Sequence, residues 1–205
     1  MTKAELIEVV IQKAQGGIVN ADTSRAVRRE DVNIMLPAAI NFAILQQYRI
    51  TQREEGVSEI PDSFLATYIE TVAYDTDREM NFITLSKPIL GMAKNRGIRS
   101  VSSLKGDTFI ETTLTAKRHD SYYKGSTAQN ITYYIEGNKI FIDNLPAVVD
   151  KVMVRAVQSA NDLKDDEQVP IPAEYMMNVI DILVNHFLGT RQIPADLTNN
   201  NNPNS

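Results

Sequence analysis

Apolar residues recur at helical spacing near both ends of the chain, and the pattern changes to alternation in the middle. Ile7, Val10, Ile11 and Ala14 follow Thr2-Lys3-Ala4-Glu5. In that tetrad the threonine hydroxyl and the glutamate carboxylate each accept a backbone N–H that a helix start leaves free. A short amphipathic helix is therefore predicted, stopped at Gly16-Gly17. A second helical pattern runs from about Asp31 to Tyr48, with Val32, Met35, Leu36, Ala39, Ile40, Ala43, Ile44, Gln47 and Tyr48 on a broad apolar face. Pro37 interrupts it and predicts either a kink or the true start of the helix. The last periodic stretch carries Tyr175, Met176, Val179, Ile180, Leu183, Val184, Phe187 and Leu188. Pro172 suits its first turn, Glu174 complements the positive end of the helix dipole, and Gly189 is the expected stop.

Between these helices Gly56 and Ile60-Pro61-Asp62 punctuate the chain, and β-branched and aromatic residues separated by turn signals follow. Strands are predicted near Thr67 to Ala73, Asn81 to Leu85, Ile98 to Ser102, Thr108 to Thr112, Ile131 to Glu136, Lys139 to Asp143 and Lys151 to Val157. Gly137-Asn138 joins two of them as a tight hairpin, because both residue types tolerate the positive φ of a primed turn. The polar and aromatic stretch Thr113 to Gln129 receives no assignment. The expected fold is α+β, a small helical bundle from the N-terminal and C-terminal helices with an inserted antiparallel β domain, sandwich or barrel-like. The expected division is 1–60 for the first helices, 61–160 for the β insert, 161–190 for the closing helix and 191–205 for an extended, Asn-rich tail.

That tail holds Ile193, Pro194 and Leu197 and ends in an asparagine run. Such a segment offers little apolar surface to offset the entropy of ordering its backbone. These three residues are accordingly expected to dock on a neighbouring subunit or partner.

Composition removes most chemistry. The 205 residues are 43% apolar, enough for one core or one core and a small satellite domain. A formal charge of -5 argues against a general nucleic-acid binder, whose affinity comes mainly from Lys and Arg on phosphates. With no Cys there is no disulfide framework, thiolate metal site or cysteine nucleophile. Acidic residues interrupt the short apolar stretch at the N-terminus, and no run is long enough to span a membrane, so synthesis and residence in a cytoplasm are expected. Asn130-Ile131-Thr132 is then a chance match to a glycosylation triplet.

His119 and His186 stand far apart and read as structural. Asp162, Asp165, Asp166 and Glu167 lack the spacing and turn glycine of a calcium loop and read as a solvated acidic loop. Asn95-Arg96-Gly97 reads as a tight turn, and Tyr175-Met176-Met177 as core. No Gly-rich phosphate loop, nucleophile elbow or zinc-ligand helix is present. No catalytic, cofactor-binding or metal residue is assigned. Arg25, Arg28 and Arg29 stand at i, i+3 and i+4, and on a helix reaching back to Ser24 they would line one face and grip carboxylates or phosphates of a partner. The other reading is a solvated face, neutralised by Glu30 and Asp31.

Several segments together carry a resemblance. Arg29-Glu30-Asp31-Val32 leads into Leu36-Pro37-Ala38-Ala39-Ile40-Asn41. Phe82-Ile83-Thr84-Leu85 is followed by Lys94-Asn95-Arg96-Gly97-Ile98 and Val101, and Val169-Pro170-Ile171-Pro172-Ala173-Glu174-Tyr175 opens the last helix. In order and wording these resemble the head-to-tail connector (adaptor or ring) proteins of tailed bacteriophages, and among them the ring proteins of crAss-like short-tailed phages. The resemblance implies a non-enzymatic virion subunit without cofactor, made in the host cytoplasm. It implies a homo-oligomeric ring, commonly twelvefold, that docks beneath the portal protein and contacts other connector or tail proteins. DNA would pass through without sequence-specific binding, and no membrane is involved. Two other readings stay open at this point: a cytoplasmic ligand-binding or enzymatic α+β domain, and a nucleic-acid accessory protein acting through the three arginines.

Overall fold

The computed structural model describes residues 1–16, 27–54, 56, 60–92, 97–112 and 130–191. The chain forms two units, one drawn from both ends of the sequence (Met1–Ile50 with Leu163 onward) and one from Thr51–Asp162.

In the first unit, helix α1 spans Lys3–Ala14, and its start follows from Thr2 and Glu5. The Glu5 N–H donates to Thr2 Oγ1 at 3.3 Å while the Thr2 N–H donates to Glu5 Oε2 at 2.9 Å, which closes the predicted capping box. Gly16 ends the helix with a φ of 66°, a left-handed conformation that an L side chain resists. Leu6, Ile7, Val10 and Ala14 are buried. Helix α2 spans Arg29–Glu54 and buries Val32, Leu36, Ala39, Ile40, Ala43 and Ile44. Pro37 lies inside it and does not mark its start. Helix α3 spans Met176–Arg191 and packs against α1.

Two details at α3 depart from the expectation. Pro172 has extended backbone (φ -57°, ψ 147°) and precedes a 3₁₀ turn, Ala173–Tyr175, so it sits before the helix. Gly189 lies within α3, because a glycine that keeps helical torsions costs only about 1 kcal/mol relative to alanine and need not end a helix.

The second unit holds eight strands: β1 Leu65–Thr71, β2 Ala73–Asp75, β3 Met80–Thr84, β4 Ile98–Ser103, β5 Ile110–Glu111, β6 Thr132–Glu136, β7 Lys139–Asp143 and β8 Lys151–Val157. They form a three-stranded sheet in the order β1-β8-β4 and a five-stranded sheet in the order β2-β3-β7-β6-β5. All pairings are antiparallel except β5 with β6. The β6–β7 hairpin turns at Gly137, whose φ of 63° meets the requirement read from Gly137-Asn138. The strand expected from Thr67 to Ala73 stops at Thr71, and Ala73–Asp75 belongs to the other sheet. The strand expected from Thr108 to Thr112 shortens to two residues plus a single bridge from Thr108 to Ser102.

The two sheets share one core, which makes the insert a sandwich. Val152, Val154 and Ala156 of β8 and Val101 of β4 meet Ile83, Tyr133, Ile140 and Ile142 of the larger sheet. Each of the valines and isoleucines among them contributes about 1.5–3 kcal/mol by leaving water.

One contact in this core explains a glycine. Gly97 lies in a turn just before β4, as expected, but it is not among the glycines with positive φ. The Leu90 N–H donates to the Val157 carbonyl at 2.9 Å and the Val157 N–H donates to the Gly97 carbonyl at 2.8 Å, so Leu90 and Gly97 are drawn together at the end of β8. A Cβ on residue 97 would lie 2.2 Å from the Leu90 carbonyl oxygen. Glycine is thus required for close backbone approach, while Asn95 and Arg96 lie outside the described residues. Gly97→Ala is expected to lower stability by about 1–3 kcal/mol, read as a lower denaturation midpoint in urea. An unchanged midpoint would mean the strand end relaxes freely.

Burial lifts the Tyr133 phenol to about 12, with the Glu111 charge adding to the effect, and it lifts Tyr68 to about 12, with Glu70 adding. Both folded values exceed the ordinary 10.0, so the unfolded chain releases these protons first. The stability these groups confer is whole below pH 10 and declines between pH 10 and 12. Tyr133→Phe is expected to make that alkaline decline shallower in thermal melts taken across the same range. An equally steep decline would show that this phenol does not take part.

Candidate functional site

The candidate residues gather first around the start of α1. The opening N–H groups of a helix have no acceptor within it, and here the returning chain supplies them. The Lys3 N–H donates to the Glu167 carbonyl and the Ala4 N–H to the Asp165 carbonyl, each at 3.0 Å, and the Val169 N–H donates back to the Met1 carbonyl at 3.2 Å. Side chains reinforce this seam. Lys3 Nζ donates to the Leu163 carbonyl at 2.9 Å and lies 3.4 Å from Asp165. Arg29, at the first position of α2, reaches Glu8 of α1 at 2.5 Å and Asp165 at 3.3 Å. The residues read as a solvated acidic loop therefore include a carboxylate, Asp165, shared by two cations.

The arginine face expected from residues 25, 28 and 29 is placed only in part. Arg28 is exposed and precedes α2, its carbonyl accepting the Val32 N–H at 3.2 Å, so it does not stand on the helix with Arg29. Arg25 lies outside the described residues, as do Ile193, Pro194 and Leu197. His186 is exposed and sits edge-on to Phe187 at 5.4 Å, while His119 is also outside the described residues. Met176 is buried as expected, but Met177 is 48% exposed.

Two further features were not anticipated. On the outer face of the five-stranded sheet, Phe82, Phe141 and Tyr134 form a row across three strands, with ring centroids 5.8 Å and 5.2 Å apart. The Arg78 guanidinium lies 4.5 Å from the Phe141 centroid and is hydrogen-bonded to both carboxylate oxygens of Glu136. That bond holds the Glu136 carboxyl below its ordinary value. Lys139 caps Phe82 in the same way at 4.5 Å. The run Ile140-Phe141-Ile142 was the available signal, since a strand apolar at every position is covered on both faces. The second feature is on α2, where Ile34 and Phe42 are 73% and 51% exposed.

A cleft of about 420 Å³ lies beside the Gly137-Asn138 turn, lined by Leu85, Ile89, Leu90, Ile98 and Ile135 among others. Another of about 470 Å³ lies by the start of α3, lined by Met1, Val169, Ile171, Met176, Met177 and Ile180. Both are largely apolar. Among the described residues, no group of three or more His, Asp or Glu is placed to hold a metal ion, and no helix is long and apolar enough to cross a membrane.

Several polar side chains fasten elements of the same chain, as Lys3, Arg29 and Asp165 do in one unit and Arg78 and Glu136 in the other, and exposed apolar residues stand on α2. The chain is thus an α+β protein with a helical unit and a two-sheet unit. The family model described as phage tail ring protein 2 matches residues 5–205, and the chain belongs to this family of crAss-like phage tail ring proteins. It is a non-enzymatic structural component of the virion, which decides against the enzymatic reading. No curated protein matches the chain.

Because Asp165 is 58% exposed and Arg29 47%, their pairing stabilises the seam only modestly. Asp165→Asn is expected to cost about 1 kcal/mol, seen as a small drop in Tm that shrinks at high salt. In a double-mutant cycle with Arg29→Ala the double variant should lose less stability than the sum of the two single losses. Full additivity would show that the pair is not coupled.

Proposed function

We propose that copies of this chain close into a twelvefold ring beneath the portal protein, joining it to the tail and to other connector proteins and surrounding the path of the DNA. The observation that carries this reading is membership of the tail ring family along nearly the whole chain. In this reading segments 1–60 and 161–190 form the ring body, 61–160 is an insert, and 191–205 is an arm. Ile193, Pro194 and Leu197 anchor that arm on a neighbouring subunit, adding contact without enlarging the core. Arg25 and Arg28 reach carboxylates or phosphates of a partner, and Arg29 helps once its internal carboxylates are satisfied.

The net charge of -5 supports the role in DNA passage, since a like-charged wall repels phosphates and lets the duplex slide. Cryo-electron microscopy of the virion tests the placement: twelvefold density fitting this chain between portal and tail is expected, and its absence from that position would refute it. Deleting residues 192–205 is expected to weaken docking while leaving the melting temperature of the isolated protein unchanged. Undiminished docking would remove the tail from the interface.

A further inference from the structure

Helix α2 is apolar on two opposite sides. One side carries the buried Val32, Leu36, Ile40 and Ile44. On the other, Ile34, Ala38 and Phe42 follow at intervals of four and therefore stack into one ridge, continued by the half-buried Leu45. Ile34 is 73% exposed and Phe42 51%. A contiguous exposed apolar patch of this kind marks a contact surface.

We infer that this ridge is covered by helix α3 of a second copy of the chain. The inference rests on the ring reading, because a closed ring of identical subunits joins two different patches of each copy. The ridge thus needs a surface unlike itself, and α3 has one. Beside its buried residues, α3 shows Met177 at 48% and Leu188 at 38% exposure, with Val184 half-buried between them.

Charge and spacing fit as well. Arg49 stands on the same side of α2 as Phe42, and Asp181 on the same side of α3 as Leu188. Both are exposed, and neither has an ion-pair partner among the described residues. Each charge lies seven residues from its apolar neighbour, about 10 Å along a helix. With the two helices antiparallel, Phe42 against Leu188 puts Arg49 against Asp181 and brings Leu45 within one residue's rise of Val184. An apolar centre with a charged pair at its edge also fixes register.

The test uses the full-length protein, with assembly followed by mass photometry and negative-stain microscopy. Wild type is expected to form closed rings, and Phe42→Asp to remain folded, with an unchanged Tm, while associating more than about tenfold more weakly. Arg49→Glu should weaken assembly, and adding Asp181→Arg should restore it. Because the chain has no cysteine of its own, mixing Phe42→Cys with Leu188→Cys protein under oxidation should give covalent dimers, and neither variant alone should. Rings that persist in Phe42→Asp would overturn the inference and leave the ring reading standing. Assembly lost in Phe42→Asp, without rescue by the charge swap and without cross-linked dimers, would overturn the pairing with α3. A wild-type chain that stays monomeric at every concentration, alone and with portal, would overturn the ring reading itself.

Discussion

The start of α1 needs acceptors for backbone N–H groups that the helix itself cannot satisfy, and the two ends of the described chain meet through that requirement. Thr2 takes one donor, and the carbonyls of Asp165 and Glu167 take two more. Each such bond contributes on the order of 1 kcal/mol, and together they hold the return of the chain beside residues 1–4. Lys3 and Arg29 then converge on Asp165 and bring α2 to the same point. The helical unit, assembled from segments more than a hundred residues apart, depends on this seam.

The β unit rests on a comparable constraint around β8. That strand is the middle of its sheet, and its last residue, Val157, bonds to both Leu90 and Gly97. Only a residue without a side chain fits where those two backbones approach. The inner face of β8 faces the larger sheet across a shared aliphatic core, while the outer face of that larger sheet closes over its aromatic row with Arg78 and Lys139. Lys3, Arg29 and Asp165 in one unit and Arg78, Glu136 and Lys139 in the other act in cohesion, consistent with a structural component of a phage tail.

For a ring subunit, what remains unsatisfied within one copy is informative. The buried side of α2 completes the fold, and its opposite ridge is the largest aliphatic feature left on that helix. The reading of α2 from periodicity named the buried side and passed over Ile34, Ala38 and Phe42, because a search for one apolar face sets aside apolar residues on the other. A helix with apolar residues on two opposite sides is as much a signal of assembly as an amphipathic one is of burial.

Much of the architecture was legible along the chain. The capping box at Thr2 and Glu5, the stop at Gly16, the hairpin at Gly137 and the alternation in β8 depend on a few neighbouring residues, whose local chemistry is the same in any tertiary setting. The helix–sheet–helix order followed from these, and the resemblance to the ring family from the segments within 29–41, 82–101 and 169–175. Tertiary structure alone decided that β1 and β2 belong to different sheets, that β5 pairs in parallel, that Gly97 serves a backbone approach, and that Asp165 binds two cations. It also decided which side of α2 is left in water. Each of these is set by a contact between residues far apart in the sequence, where spacing and propensity carry no information about the partner.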